Sequence, residues 1–108
     1  MQGVTVETAL MGETIGAVAS EAAARIVAEA GEGVAGIERV VPDWSIGGGD
    51  DATFMMRRVQ ERGGQAVYFI LGSDIPAVHH ASDFDIDERS LDQGVQLFER
   101  IAARVLGC

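Results

Sequence analysis

The sequence is poor in several residue types, and each shortage excludes a class of protein. Its 108 residues include no lysine, two prolines, one cysteine and six aromatic residues (four Phe, one Trp and one Tyr). Because Cys108 has no second thiol to pair with, an internal disulfide and a Cys-x-x-Cys metal site are both excluded. No apolar run approaches the ~20 residues of a membrane span, and no basic start followed by an apolar stretch indicates a secretory signal. A reducing cytoplasm is therefore the expected location.

The charge balance is strongly acidic. Seventeen acidic residues stand against eight basic ones, all of them arginine, for a formal net charge of -9. Such a surface repels phosphate backbones and anionic lipid, so we expect neither nucleic acid nor a membrane as a partner. The hydrophobic share of 47% and the charged share of 23% are those of an ordinary globular chain, and the length fits one small domain.

Hydrophobic periodicity predicts an α/β fold. Residues 4–10 alternate apolar and polar side chains, 37–41 form a short apolar run, and 66–71 form a continuous apolar run typical of a strand covered on both faces. Helices are predicted over about 15–30, from Asp50-Asp51 to Gly63, and from a Ser90–Gln93 capping box to Gly107. This order predicts parallel strands flanked by helices. Two or three strands cannot cover both faces of 66–71, so we expect the chain to be part of a larger domain.

Two loops follow predicted strands, where ligands bind in open α/β sheets. The first, 46–51, places Gly48, Gly49, Asp50 and Asp51 at a helix start, where free N–H groups attract an anion such as a carboxylate. It lacks the Lys-Ser/Thr of a phosphate loop. The alternative interpretation is a flexible turn followed by a helix N-cap.

The second loop contains His79 and His80, followed by several acidic residues. Imidazole is a common zinc ligand, and carboxylates add hard oxygen donors. Adjacent residues in an extended segment point in opposite directions, so only one of the two histidines could face a given metal. The alternative is that both are solvent-exposed, and that Asp87 and Glu88 simply stabilise the start of the next helix. No Ser-His-Asp or Cys-His arrangement is present, and we predict no catalytic residue in this chain.

Three stretches together resemble the end of the M20-type metallopeptidases and amidohydrolases. Residues 48–56 read Gly-Gly-Asp-Asp-Ala-Thr-Phe-Met-Met, residues 59–66 read Val-Gln-Glu-Arg-Gly-Gly-Gln-Ala, and His79-His80 is followed by Phe-Asp-Ile-Asp-Glu at 84–88. The resemblance runs from about residue 4 to residue 106. The family's usual Glu-Asp is Asp50-Asp51 in this sequence, which shortens one side chain by a methylene and makes a substrate-facing role for Asp50 less secure.

The resemblance implies a fold and a division of the chain. Residues 1–13 would be the end of a lid and dimerisation domain, contributing its last strand. Residues 14–108 would be the C-terminal part of a catalytic domain with a helix-flanked, mainly parallel sheet. The chain would then be one portion of an enzyme that forms a homodimer, or a heterodimer with a related subunit.

The resemblance also implies a chemistry. Family members hydrolyse an amide bond of substrates such as N-acyl amino acids, of which aminobenzoyl-glutamate is one, with two divalent metal ions, zinc or manganese. The general base, the bridging Asp and most ligands lie upstream of the matching region. The family's spacing assigns His80 as a metal ligand, with His79 as the second choice, and implies that this portion is inactive alone.

Two other functions remain open. The first is a non-catalytic interaction domain derived from the same fold, which would bind a partner chain through an exposed strand or sheet edge. The second is metal storage or sensing through the two histidines and the nearby acidic residues.

Overall fold

Three helices form the regular structure of the chain. The computed structural model describes residues 2–45 and 47–108, with α1 at Glu21–Glu32, α2 at Asp51–Glu61 and α3 at Arg89–Leu106. Each of the three predicted helices is thus present. None of the helices found in the described residues is long and apolar enough to cross a membrane. Met1 of the predicted lid segment and Ile46 of the predicted glycine loop lie outside the described residues.

Helix α1 begins later than the sequence predicts, because the residues before it are bonded elsewhere. The backbone N–H of Ser20 donates to the carbonyl of Ala66 at 2.8 Å, and the Ala66 N–H donates back to the Ser20 hydroxyl at 3.0 Å. The Gln60 amide of α2 donates to the Val18 carbonyl at 2.7 Å and to the Ser20 hydroxyl at 3.0 Å. These long-range bonds hold the residues before Glu21 out of the helix and tie the start of α1 to α2.

The start of α3 also differs from the prediction. The N-cap is Glu88, whose side chain makes no capping bond, so the predicted Ser90–Gln93 capping box is wrong. Asp87 takes the role instead: its carboxylate accepts the Arg89 N–H at 3.0 Å, and its carbonyl accepts the Ser90 hydroxyl at 2.7 Å. The end of α3 is as predicted, since Gly107 adopts the left-handed conformation, with φ 73°, that closes a helix.

The predicted sheet is not confirmed. Within the described residues, segments 4–10, 37–41 and 66–71 form no ladder, and the sole β-bridge joins Gly16 to Gly49. A strand depends on a neighbour to satisfy one row of its backbone groups, and none of these segments lies against another. Their side-chain patterns therefore predict strands whose partners the described part of the chain does not supply.

A small core joins α1 and α3. Ala30, Val34 and Leu97 are buried together, with Ile37, Phe69 and Ile101 packed against them. Phe69 and Phe98 add a tilted ring pair with centroids 5.6 Å apart. Across the rim of this contact, Arg104 of α3 pairs with Glu29 of α1.

The core is too small for the length of the chain. The radius of gyration is 18.4 Å, whereas a compact domain of about 100 residues has a radius of about 13 Å. The first described segment contributes to this extension: Val4, Val6, Leu10 and Met11 are 73% to 93% exposed. That residues 1–13 belong to a separate domain remains a prediction.

Candidate functional site

The glycine loop is anchored to the segment that precedes α1. Gly49 forms its β-bridge with Gly16, and a Cβ atom placed on Gly49 would overlap the Thr14 hydroxyl and lie 2.6 Å from the Ile15 carbonyl oxygen. Gly48 has no such neighbour within 4 Å. Gly49 is therefore a site of close backbone approach, which explains at least one glycine of the loop without a ligand.

We expect Gly49→Ala to separate the glycine loop from residues 14–16. The added methyl group meets a backbone carbonyl that cannot rotate away, so either the bridge opens or the start of α2 shifts. Amide hydrogen exchange at residues 14–16 and 50–53 should rise clearly in this variant. Gly48→Ala is the matched control and should leave the same amides unchanged. Equal exchange in both variants would show that the close approach is not maintained in solution.

Asp50 is the N-cap of α2. Its carboxylate accepts the Ala52 N–H at 2.9 Å, and the Thr53 hydroxyl, 3% exposed as a residue, donates to the carbonyls of Asp50 at 2.6 Å and Ile15 at 2.7 Å. Asp51 lies in the first helical turn, where a negative charge is favourable. The turn-and-cap interpretation is thus confirmed for Asp50. Of the four loop candidates, Gly48 and Asp51 have no such assigned contact in the structure.

The histidine pair occupies the centre of a tight turn. The Ala81 N–H donates to the Val78 carbonyl at 3.2 Å, so His79 and His80 are the two central residues. His80 has φ 70°, and it is the one non-glycine residue with positive φ in the described part of the chain. The left-handed conformation costs a side chain such as histidine about 1–2 kcal/mol.

The two imidazole rings have different surroundings. The His79 ring stacks on Phe84, with centroids 5.2 Å apart and an interplanar angle of 29°. Both histidines are exposed. The turn separates the directions of the two side chains, and it leaves His79 engaged with an aromatic neighbour. His80 is therefore the more available of the two as a ligand.

The structure does not assemble these residues into a complete metal site. Among residues 2–45 and 47–108, no group of three or more His, Cys, Asp or Glu side chains is placed to hold an ion. His80 and the glycine loop are both presented on irregular segments, and no hydrogen bond found in the described residues joins them. The sequence placed both in one site by resemblance, and that grouping remains a prediction.

The acidic run before α3 is largely explained by local bonding. The Asp85 carboxylate accepts the Ile86 N–H at 2.8 Å. Asp87 accepts bonds from the Arg89 guanidinium with both carboxylate oxygens, and its own N–H donates to the Ser73 hydroxyl at 2.8 Å. The side-chain bonds from Arg89 lower the pKa of Asp87 to about 2, and the same pair raises the pKa of Arg89. The sequence analysis missed this pair, although an Asp two residues before an Arg at a helix start was a visible signal.

The lowered pKa of Asp87 predicts a pH dependence at the start of α3. Because the pKa is lower in the folded chain than in the unfolded one, the stabilisation is present above about pH 4 and is lost as the pH falls toward 2. Carbon-detected NMR titration of the Asp87 carboxyl should give a midpoint near 2, and exchange at the Arg89 and Ser90 amides should rise over that range. Asp87→Asn should abolish this step, whereas Asp83→Asn should leave it. A midpoint near 4 for Asp87 would contradict the Arg89 contact.

An open groove lies beside α1 and α3. Its volume is about 1350 Å³, and it is lined along one side by residues 36–45 and along the other by 67–74, with α1 and α3 side chains between them. Val27, Ala28 and Leu97 are among the apolar residues of the groove, and Val41 and Ile70, both 51% exposed, lie on the extended segments. No histidine lines it, so it is separate from the His79-His80 turn.

Comparison with known proteins identifies relatives over nearly the whole chain. Residues 3–104 match the family described as Peptidase family M20/M25/M40. The chain is 38% identical over 104 residues to one of the named subunits of p-aminobenzoyl-glutamate hydrolase from Escherichia coli (strain K12), which covers 94% of this chain and 24% of that protein. It is 44% identical over 70 residues to a homologue of that hydrolase subunit from Haemophilus influenzae, covering 65% of this chain and 16% of that protein.

A third relative has a different substrate in its name. Indole-3-acetyl-aspartic acid hydrolase of Enterobacter agglomerans is 34% identical over 97 residues, covering 89% of this chain and 22% of that protein. No solved structure matches the chain significantly. The chain thus spans less than a quarter of the length of each of these curated relatives.

Proposed function

This chain belongs to the M20/M25/M40 peptidase family, and on that premise we propose that it is the C-terminal part of the catalytic domain of an N-acyl-amino-acid amidohydrolase. The named relatives support the substrate class. One acts on p-aminobenzoyl-glutamate and another on indole-3-acetyl-aspartic acid, so each substrate name joins an aromatic acyl group to an acidic amino acid. We propose the same class here: an aromatic acyl group linked through an amide to Glu or Asp.

We propose that residues outside this chain complete the catalytic domain. The small α1–α3 core, the extended segments without strand partners and the share of the relatives that is matched all support this. The helix-flanked, mainly parallel sheet then includes 37–41 and 66–71 as strands, and residues 1–13 are the end of a lid domain. Two of the relatives are named as subunits, which supports a dimer with a related chain or with a second copy. The proposal includes a cytoplasmic location.

His80 is the proposed metal ligand of this chain, and the conformation of its turn is the single observation that carries the assignment. A non-glycine residue held in the left-handed region costs free energy, and such residues concentrate at functional sites. The neighbouring His79 is stacked on Phe84, so the turn separates one packed imidazole from one available imidazole. One imidazole fits a zinc or manganese site as one ligand among several.

The remaining ligands of the two-metal site and the general base are proposed to come from outside this chain. A divalent metal ion, when bound, polarises the amide carbonyl and lowers the pKa of a bound water. The chain's own part is to hold one imidazole in place. Gly48, Gly49, Asp50 and Asp51 remain the candidates for contact with the substrate, although Asp50 and Gly49 already have structural roles.

The test is reconstitution of hydrolysis. The chain is co-expressed with the E. coli relative from which the matching 104-residue segment has been removed, and release of p-aminobenzoate from p-aminobenzoyl-glutamate is followed with added Zn²⁺ or Mn²⁺. We expect hydrolysis by the complex and none by either part alone. Hydrolysis of indole-3-acetyl-aspartate and of an acyl-alanine substrate tests the preference for an acidic amino acid. A stable complex that hydrolyses none of these amides would contradict the proposal.

The alternative function is a stand-alone interaction domain. The specific observation in its favour is the set of exposed apolar side chains, among them Val6, Leu10 and Met11 in an extended segment. It predicts that the purified chain alone is a folded monomer or a tight homodimer with cooperative melting. Aggregation, or gradual loss of helix signal on heating, would exclude it.

A further inference from the structure

We propose that the groove between residues 36–45 and 67–74 is the seat of one missing β-strand, supplied by the part of the M20 catalytic chain that lies outside these 108 residues. The inference rests on the proposed function for the identity of the strand. Its geometric basis is independent of any chemistry at His80.

The two walls of the groove are extended segments with the composition of strands. Residues 37–41 follow α1, and Val40 lies against α1 at Gly31, where an added Cβ would be 3.3 Å from the Val40 side chain. Residues 67–71 reach α3, where Leu71 lies 3.5 Å from the corresponding position of Gly94. Both segments thus lie on the helical layer as strands of one sheet do.

The two walls do not bond to each other. Among the described residues, no backbone hydrogen bond joins 37–41 to 67–71, and both line the same open space. Backbone N–H and C=O groups in an apolar setting require partners. An extended segment placed between the walls would satisfy one row of groups on each of them.

The size of the groove fits one strand. A strand residue occupies about 160 Å³, given a rise of about 3.3 Å, a strand spacing of about 4.8 Å and a packing distance of about 10 Å between layers. The groove of about 1350 Å³ therefore has room for about eight strand residues. Apolar side chains of α1 and α3 form its floor, so the occupant has an apolar side chain at every second position on that side.

The source of the strand is a choice between two chains. A second copy of this chain could offer residues 4–10, which alternate but carry Glu7 and Thr5 on one side. The remaining catalytic chain is favoured because more than three quarters of each matched relative lies outside the matching segment. The continuous apolar run at 66–71 also indicates a strand inside a sheet, covered on both faces, and not the edge of a small dimer interface.

The test measures hydrogen exchange at both walls in the reconstituted complex. The chain is compared alone and bound to the E. coli relative that lacks the matching segment. We expect amides in both 37–41 and 67–71 to become protected on binding, by at least about tenfold, since each wall gains one row of strand bonds. Ile70→Asp places a charge in the groove and should weaken the complex by at least about tenfold. Val105→Asp, at an exposed position of α3 outside the groove, should leave binding unchanged.

The outcomes separate this proposal from the proposed function. Protection of both walls without amide hydrolysis would support the groove and contradict the hydrolase. Hydrolysis by a complex in which one wall or neither is protected would contradict the groove alone. Protection of both walls in the chain by itself, with the mass of a dimer and loss on deletion of residues 2–11, would assign the strand to a second copy and overturn the proposal. Absence of any complex would overturn it as well.

Discussion

His80→Ala is expected to remove nearly all metal-dependent hydrolysis from the reconstituted enzyme. Replacement of residues that only support a metal ligand costs about 10–100-fold in metal affinity or activity, so loss of a ligand itself should cost more than about 100-fold. The metal concentration needed for half-maximal activity should rise together with the loss of rate. Both are measured by titrating Zn²⁺ and Mn²⁺ into the complex during hydrolysis.

Two further variants separate the imidazole of His80 from the backbone conformation. Asn and Gly tolerate a positive φ better than other residues, so His80→Asn and His80→Gly should preserve the turn at 78–81 and still lose activity. His79→Ala should remove the contact with Phe84 and reduce activity only a few-fold. A large loss in His79→Ala with little effect of His80→Asn would reverse the assignment of the ligand.

Leu97→Ala is expected to have the largest effect on stability. Leu97 is 3% exposed and lies in the cluster that joins α3 to α1. Removing a buried leucine side chain costs about 2–5 kcal/mol, which is a large fraction of the stability of a small domain. Urea titration of the complex, followed by the helix signal in circular dichroism, should show a clearly lower midpoint.

The matched control for this prediction lies on the same helix. Leu106 is 75% exposed, so Leu106→Ala removes the same atoms from a position with little buried area and should change stability by less than about 0.5 kcal/mol. Similar shifts in the two variants would show that the α1–α3 contact is not the core of this chain.

Local patterns predicted the helices well, because a helix depends on neighbours three and four residues away. Met56 and Leu97 are buried on their helices, and Gly107 ends α3 in the expected conformation. The start of α1 could not be predicted in the same way. It is set by hydrogen bonds from Ser20 to Ala66 and from Gln60 to Val18, and such long-range partners leave no periodic signal in the sequence.

Strands expose the limit of reasoning from a sequence. The apolar run at 66–71 indicates a covered strand, but a strand exists only beside another strand, and residues 37–41 lie across a groove from it. The composition of a segment thus predicts what it requires, while the partner that satisfies it is a separate question. The same distinction applies to the glycine loop: its composition suggested ligand binding, whereas the bridge to Gly16 and the α2 cap explain Gly49 and Asp50.

For the histidine pair, the sequence supplied the two candidates and family resemblance chose between them. The structure adds a separate physical reason, since His80 is held at φ 70° and His79 is stacked on Phe84. Nothing in the alternation of the sequence predicts the left-handed conformation at residue 80. It arises because the turn closed by Ala81 and Val78 needs a positive φ at its third position.

The most direct test of the account is an NMR titration of the histidine ring nitrogens in the reconstituted complex. Long-range ¹H–¹⁵N spectra are recorded as Zn²⁺ is added to the complex and, separately, to the chain alone. We expect a ring nitrogen of His80 to shift to a metal-bound position in the complex, with His79 unchanged and with only weak effects in the chain alone. Binding through His79, or a complex that hydrolyses the amide while the His80 ring stays unaffected by metal, would contradict the account.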